Sequence, residues 1–374
     1  MPLTRLTIEC LRNLESVDLS PSPGVNLLYG ENGSGKTSVL EAIHTLALGR
    51  SFRSHKHKPL IQHHQERFTL FARLRTAEDI QIPLGLSRSR TGDLSFKLDG
   101  RPLSSIAELA NLLPVQIINS QTFSLLEGSP KVRRQFMDWL VFHVEPRFFE
   151  AWRAAQRCLK HRNSLLRRDR IDPAELAVWD RELVRLAEQL HEYRQGCIEQ
   201  FRSVFLELLE SFVQIPGISL SYRRGWDKER DYAQVLAESF ERDQQMGYTQ
   251  SGSHRADLRI GVEGQPAADV LSRGQQKLVV CALKITQGYL LTQLTGRRCI
   301  YLVDDLPAEL DDQHRATLVD WLERLKTQVF ITGVKKEPLL VDWRERPDVD
   351  TRVFHVEQGR VIADPDTELE QNRS

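Results

Sequence analysis

The chain has 374 residues, 27% charged and 40% apolar, and its 51 basic and 51 acidic residues give a formal net charge of zero. That balance excludes a globally basic nucleic-acid binder but not a local basic face, and the length allows two domains or one large one. The five cysteines show no CxxC pairing, which argues against a disulfide framework or zinc site and fits a reducing cytosol.

Along the chain, Met1 to Glu9 lacks the apolar core of a leader. No run approaches the about 18 uncharged residues of a membrane span, so a cytoplasmic protein is expected. Leu3 to Cys10 alternates as a strand, Ser20 to Gly24 breaks it, and Val25 to Tyr29 is a buried run. From Thr37 the apolar spacing of Val39, Leu40, Ile43, Leu46 and Ala47 predicts a helix. Between Phe68 and Leu98 short alternating stretches predict an antiparallel layer, with "RTGDLSFKLDG" as a hairpin. Lys131 to Phe212 is helical in pattern, and Ile171-Asp172-Pro173 breaks it, since proline cannot continue a helix. The repeats at Phe148, Trp152, Ala155 and Leu159 and at Leu176, Leu183, Leu186 and Leu190 predict an antiparallel hairpin with a coiled-coil-like seam and arms of roughly 25 residues. Two ordinary core helices are the alternative. After Leu258 a polar loop ends at Ser272, followed by a helix from Gln275 to Thr292, the strand Ile300 to Val303, a helix to Lys326 and a strand Val329 to Thr332.

Three motifs carry chemistry. Gly30-Glu31-Asn32-Gly33-Ser34-Gly35-Lys36-Thr37 matches GxxxxGK[ST] between a buried strand and a helix, where backbone N–H groups cradle phosphates. Lys36 would neutralise the β and γ phosphates of ATP, Thr37 would ligate Mg²⁺, and Ser38 follows within the same helix start. Such a loop requires a distant strand ending in an acid, and "IYLVDDLPAELDD" supplies it. Asp304 is expected on the metal side and Asp305 as the acid that polarises the attacking water, whereas Asp311 and Asp312 suit a helix cap. The third motif, Leu271 to Leu278, opens a helix with Ser272, Gly274 and Gln275, a second anion-binding helix start. In an ABC-type ATPase that turn meets the γ-phosphate held by another subunit.

With "LTRLTIECLRNLESVDLSPSPGVNLLYGENGSGKTSVLEAIHTLALGRSFR", "LLEGSPKVRRQFMDW", "LSRGQQKL" and "LVDDLPAELDD" in this order, the chain resembles the RecF family of bacterial recombination and DNA-repair proteins nearly end to end. The resemblance implies an α/β ABC-type P-loop head, a mixed sheet with a β subdomain, plus a helical second lobe bearing a short coiled-coil-like arm. On that basis residues 1–124 form the first part of the ATPase lobe and 125–257 the helical lobe. Residues 258–362 bring the signature helix and the end of the core, and 363–374 form a disordered acidic tail. By analogy Arg12 and Asn13 approach the nucleotide, Gln121 reaches Mg²⁺ or water, and Ala308 to Asp311 resemble a loop facing the partner head. No histidine follows Thr332 and Gly333, so γ-phosphate sensing must differ from that of many ABC ATPases. The implied activity is ATP-dependent homodimerisation on DNA, at gaps or junctions of duplex and single strand, with slow DNA-stimulated hydrolysis. RecR and RecO would be partners in placing RecA and in damage signalling.

Arg50 to Lys58 carries basic residues including Arg50, Arg53, Lys56 and Lys58 without an acid, and Arg133 and Arg134 follow the turn at Gly128. Phosphate contact without base reading is their functional reading, as it is for the arm Arg153 to Arg170, and a solvated face is the plain one. The competing function is the nucleotide-binding subunit of a transporter, disfavoured by the helical insert and the absent histidine. A long-armed chromosome-organising protein fails on length, and a nuclease-coupled ATPase lacks room for its extra domain.

Overall fold

The computed structural model describes residues 1–364, so the expected tail falls outside the described residues except for Ala363 and Asp364. The chain divides into two compact units, one of residues 1–122 and 288 onward, the other of residues 123–287. Residues 258–287, expected with the ATPase core, therefore pack with the helical lobe. Their strand Asp257–Val262 pairs with Ile218–Arg223 inside that lobe, a partnership no local pattern announces.

The first unit holds two six-stranded sheets. In one, Arg360–Ala363, Thr351–Glu357, Val25–Tyr29, Val329–Gly333, Ile300–Val303 and Val115–Ile118 lie side by side, with all pairings parallel except that of the terminal hairpin. The other is antiparallel, in the order Leu14–Leu19, Leu3–Leu11, Arg67–Arg75, Gln81–Ser89, Leu94–Leu98 and Arg101–Pro102. The P-loop helix Lys36–Leu48 shares one core with both sheets, so Val39, Leu40, Ile43 and Leu46 are fully buried beside Ile8 and Leu70 of one and Leu302 and Phe330 of the other. Each such burial contributes about 1.5–3 kcal/mol. The helix stops at Gly49, whose left-handed backbone (φ 63°) returns its N–H to the Thr45 carbonyl.

The second unit is built on the helices Pro130–Val144, Phe148–Leu166 and Pro173–Phe212. The arms of the hairpin are 19 and 40 residues long, not equal. The second starts where predicted, with Pro173 in its first turn and Asp172 capping Ala174 N–H, and then runs on because nothing breaks the buried series Leu190, Cys197, Phe201, Phe205 and Leu209. The seam is not purely apolar. Arg162, fully buried, donates from Nε to Asp180 (2.6 Å) and from Nη1 to Asp243 (2.8 Å) and Thr249 (2.7 Å). Arg194, 2% exposed, holds Asp138 through two bonds of 2.8 and 2.9 Å and also reaches the Ser253 carbonyl.

Breaking one member of such a pair strands the other charge in a dry interior. Asp138→Ala is expected to destabilise the second unit by about 3–5 kcal/mol. Urea denaturation followed by tryptophan fluorescence measures it, and a loss below 1 kcal/mol would show that the guanidinium finds water.

Candidate nucleotide site

The parallel strands of the first unit finish at one edge of their sheet, and the P-loop turns there. Gly35 (φ 123°) could not be replaced freely, because a Cβ would stand 2.8 Å from a Leu14 methyl and 3.2 Å from Asn13 Nδ2. A Cβ on Gly30 would lie 2.0 Å from the Val356 carbonyl oxygen. Lys36, buried at the helix start, donates from Nζ to the carbonyls of Gly30 (2.6 Å) and Glu31 (2.8 Å). Burial pushes its pKa down, opposed by the charges of Asp305, Asp304 and Glu31.

Asp304 leaves the strand Ile300–Val303 with its N–H on the Ile118 carbonyl (2.9 Å). Its carboxylate accepts from Thr37 Oγ1 at 3.0 and 3.2 Å and from Thr332 Oγ1 at 2.8 Å. The Thr332 hydroxyl in turn accepts the Asp305 N–H at 2.8 Å, so one side chain ties both acids to the neighbouring strand. Asp305 has left-handed backbone (φ 54°, ψ 46°), a conformation disfavoured for most residues with a side chain and kept where the surrounding structure over-determines it. Burial raises its pKa, the Asp304 charge raises it further and Glu309 adds to this, while Lys36 works the other way.

Around these groups lies a cavity of about 890 Å³, within the size of ligand sites. Of the residues singled out in the sequence, Arg12, Asn13, Asn32, Gly33, Gly35 and Lys36 line it, as do Thr37, Ser38, Arg53, Lys58, Asp304 and Asp305. Ser120 lines it in place of Gln121, an exposed residue beside it. Glu309, expected to face a partner head, lines the cavity of its own chain. Asn13 clamps the P-loop, donating to the Gly33 carbonyl (3.1 Å) and accepting from Ser38 Oγ (2.8 Å).

Sequence reading missed Glu41, His63, Arg90 and the role of Thr332. Thr332 had a signal, as the polar residue near the end of an apolar strand. Glu41 had none, since it reads as a solvent-facing helix residue. It is fully buried and accepts two bonds from Arg12, at 2.9 and 2.8 Å, and one from Ser51 Oγ, with Arg53 3.7 Å away. The P-loop helix thereby anchors both the Arg12 turn (φ 56°) and the start of the basic loop. Arg50 and Lys56 are exposed on that loop and are not in the cavity wall.

In the second unit Ser272 caps the helix Arg273–Thr295 reciprocally. Its Oγ accepts from Gln275 N–H (3.3 Å) while Gln275 Oε1 accepts from Ser272 N–H (3.0 Å), and Ser272 and Gly274 are exposed. Arg133 and Arg134, expected as DNA contacts, have partners within the second unit. Arg133 grips Asp257 through bonds of 2.8 and 3.0 Å and Arg134 donates to the Ala256 carbonyl (2.7 Å), so both tie a helix to a strand. The arm's basic run is likewise partly structural, with Arg162 buried, Arg167 on the Gly247 carbonyl and Arg168 paired with Glu175.

The family model for the RecF/RecN/SMC N terminal domain matches residues 2–360. The chain is 63% identical to the DNA replication and repair protein RecF of Cellvibrio japonicus strain Ueda107, across 96% of this chain and 99% of that protein. It belongs to the RecF family. The RecF of Pseudomonas putida strain W619 is 54% identical over 96% of this chain and 98% of its own length. A solved structure of the recombination mediator protein RecF-ATP in the RecFOR pathway matches with a TM-score of 0.84 at 25% identity, covering 97% of each chain. An Smc head bound to the C-winged helix domain of ScpA matches at 0.61 with 14% identity, covering 99% of this chain and 100% of its own, which shows the shared head fold alone.

The residues of this RecF-family chain fit ATP and a hard cation. The glycine loop has no room for a Cβ at Gly30 or Gly35, a buried ammonium waits at the helix start, and Thr37 with Asp304 supplies the hydroxyl and carboxylate oxygens that Mg²⁺ takes alongside phosphates. Among the described residues no cluster of three or more His, Cys, Asp or Glu gathers to hold a metal by itself.

Because ionised Asp305 is disfavoured by its surroundings, the folded carboxyl holds its proton more tightly than the unfolded one. Stability is therefore lost as pH rises through the raised folded pKa and is regained in acid. Asp305→Asn, which also tolerates left-handed backbone, is expected to raise Tm at neutral pH, with the gain shrinking as pH falls below that pKa. Calorimetry between pH 4 and 8 checks it, and a pH-independent change would contradict the electrostatic cause. Glu41→Gln is expected to destabilise the first unit by about 3–5 kcal/mol and to weaken nucleotide binding by releasing Arg12. Chemical denaturation and titration with a fluorescent ATP analogue read the two effects separately.

Proposed function

We propose that this RecF-family chain is an ATP-operated switch on DNA. Two copies join through ATP on gapped duplex or junctions of duplex and single strand, and they separate after slow hydrolysis. The observation that carries the reading is the bridge of Thr37, Asp304, Thr332 and Asp305 at the ends of adjacent parallel strands. A P-loop hydroxyl and a strand-end acid meet there without any other residue intervening.

In this reading Lys36 and the loop from Gly30 to Ser38 bind the phosphates, and Thr37 and Asp304 hold Mg²⁺, which supplies charge neutralisation on the phosphate oxygens. Asp305 positions the attacking water, assisted from the segment of Ser120 and Gln121. An aspartate reaches one methylene less far than the glutamate common at this place in ABC-type motors. The water is then oriented less closely, which suits a timer more than a motor. Ser272, Gly274 and Gln275 would meet the γ-phosphate held by the second copy, with Ser272 and Gly274 exposed and the helix start pre-organised by its reciprocal cap. Arg50, Arg53, Lys56 and Lys58 are exposed cations of the basic loop that would touch DNA phosphates, and salt should weaken that contact steeply. RecR, with RecO and RecA in the same pathway, are the expected partners in the cytoplasm, and ATP with Mg²⁺ the cofactors. That its relatives are DNA replication and repair proteins RecF, and that the similar RecF-ATP structure is of a recombination mediator in the RecFOR pathway, supports this role. Among the described residues no helix is long and apolar enough to cross a membrane.

Light scattering after gel filtration, with and without ATP and a gapped duplex, tests the switch. Wild type should run as a dimer only with ATP, Lys36→Met should neither bind ATP nor dimerise, and Ser272→Arg should bind ATP yet remain monomeric. Normal dimerisation of Ser272→Arg would refute the composite site.

A further inference from the structure

The parallel sheet of the first unit has a second end. Opposite the nucleotide cavity, where the strands begin, a separate cavity of about 530 Å³ opens beside the residues that precede three of them: Pro23, Pro114 and Gln328. Among the described residues, four cationic side chains line it, Arg75, Arg297, Arg298 and Lys326, and no carboxylate does.

These charges come from three places in the chain, so no basic run in the sequence announces them. Arg75 ends a strand of the antiparallel sheet, Arg297 and Arg298 lie between a helix and the strand Ile300–Val303, and Lys326 sits on a left-handed turn (φ 46°) before Val329–Gly333. Arg297 is fixed in place, its guanidinium donating to the Asn111 side chain (3.0 Å) and to the Asn111 carbonyl, and burial lowers its pKa. Among the described residues the acid paired with the group, Asp79, stands 3.7 Å from Arg75 and is 83% exposed, too solvated to neutralise it. Arg298 and Lys326 are exposed and make no ion pair among the described residues. Like charges crowded into a concavity repel one another until an anion enters.

The remaining wall identifies the anion. Pro23, Leu112 and Pro114 give the cavity an apolar side, which a nucleic-acid backbone of phosphates and sugars would leave unused. A protein segment bearing both carboxylates and an apolar side chain uses both halves. We propose that this cavity docks an acidic segment of a partner protein, its carboxylates on Arg75, Arg298 and Lys326 and its apolar side chain against Pro23, Leu112 and Pro114. The assignment does not rest on the nucleotide reading.

Fluorescence anisotropy on the full chain tests it with three labelled probes: a short peptide alternating Asp with Phe, its counterpart with Asn for every Asp, and a thymidine oligonucleotide. The Asp peptide should bind at least about tenfold more tightly than the Asn peptide. Arg298→Glu combined with Lys326→Glu, both on exposed positions, should weaken it by at least about tenfold while Tm and ATP binding stay as in wild type. Equal binding of the two peptides, or an Asp peptide indifferent to the double substitution, would overturn the proposal. So would an oligonucleotide that displaces the Asp peptide and loses affinity in the same variant, since the cavity would then serve nucleic acid.

Discussion

Two neighbouring carboxylates at the end of a fully buried strand repel each other and lose hydration, so Asp304 and Asp305 stand only where other groups hold them. The Asp304 carboxylate accepts from two threonine hydroxyls, and the Asp305 backbone N–H donates to one of the two. Thr37 and Asp304 are 267 residues apart in sequence. Their contact exists because the P-loop helix is buried between two sheets, which leaves its N-terminus one place to point. The order of the parallel strands, with Val329–Gly333 between the P-loop strand and the acid strand, then puts Thr332 beside both acids. Sheet order, helix burial and acid pair are thus one constraint seen at three scales.

The same helix reaches the basic loop through Glu41. A fully buried carboxylate requires cations, and Arg12 provides a two-bond clamp while Ser51 and Arg53 approach from the loop. The groups nearest the phosphate-binding turn and the groups that carry exposed charge to its side therefore share one anchor. Whatever displaces Arg12 alters the surroundings of the loop as well, a physical route by which nucleotide and loop can affect each other.

Zero net charge is resolved by location. Many arginines of the second unit are structural: Arg133, Arg162 and Arg194 each hold a carboxylate at 2.8 Å or less, and the partners Asp257, Asp243 and Asp138 are buried or half-buried. Such pairs gain little net stability over apolar packing, but each fixes the register of one helix against its neighbour. Among the described residues, Arg50 and Lys56 on the loop near the P-loop and Arg298 and Lys326 at the cavity of the opposite sheet edge are exposed cations without an ion pair.

Much was legible before any coordinates. The P-loop, the strand and helix flanking it, the acid pair, the capping role of Asp311 and the start of the long helix at Pro173 all rest on local chemistry, where neighbours in sequence satisfy one another's backbone groups. Tertiary structure alone decided the rest. It chose Ser120 over Gln121 for the cavity wall, gave Arg133 and Arg134 partners at Asp257 and Ala256, buried Arg162 of a basic run that reads as solvated, and carried residues 258–287 into the helical lobe. The physical reason is common to all four. A charged or polar side chain takes its role from the partner that meets it after folding, and in this chain those partners lie tens to hundreds of residues away.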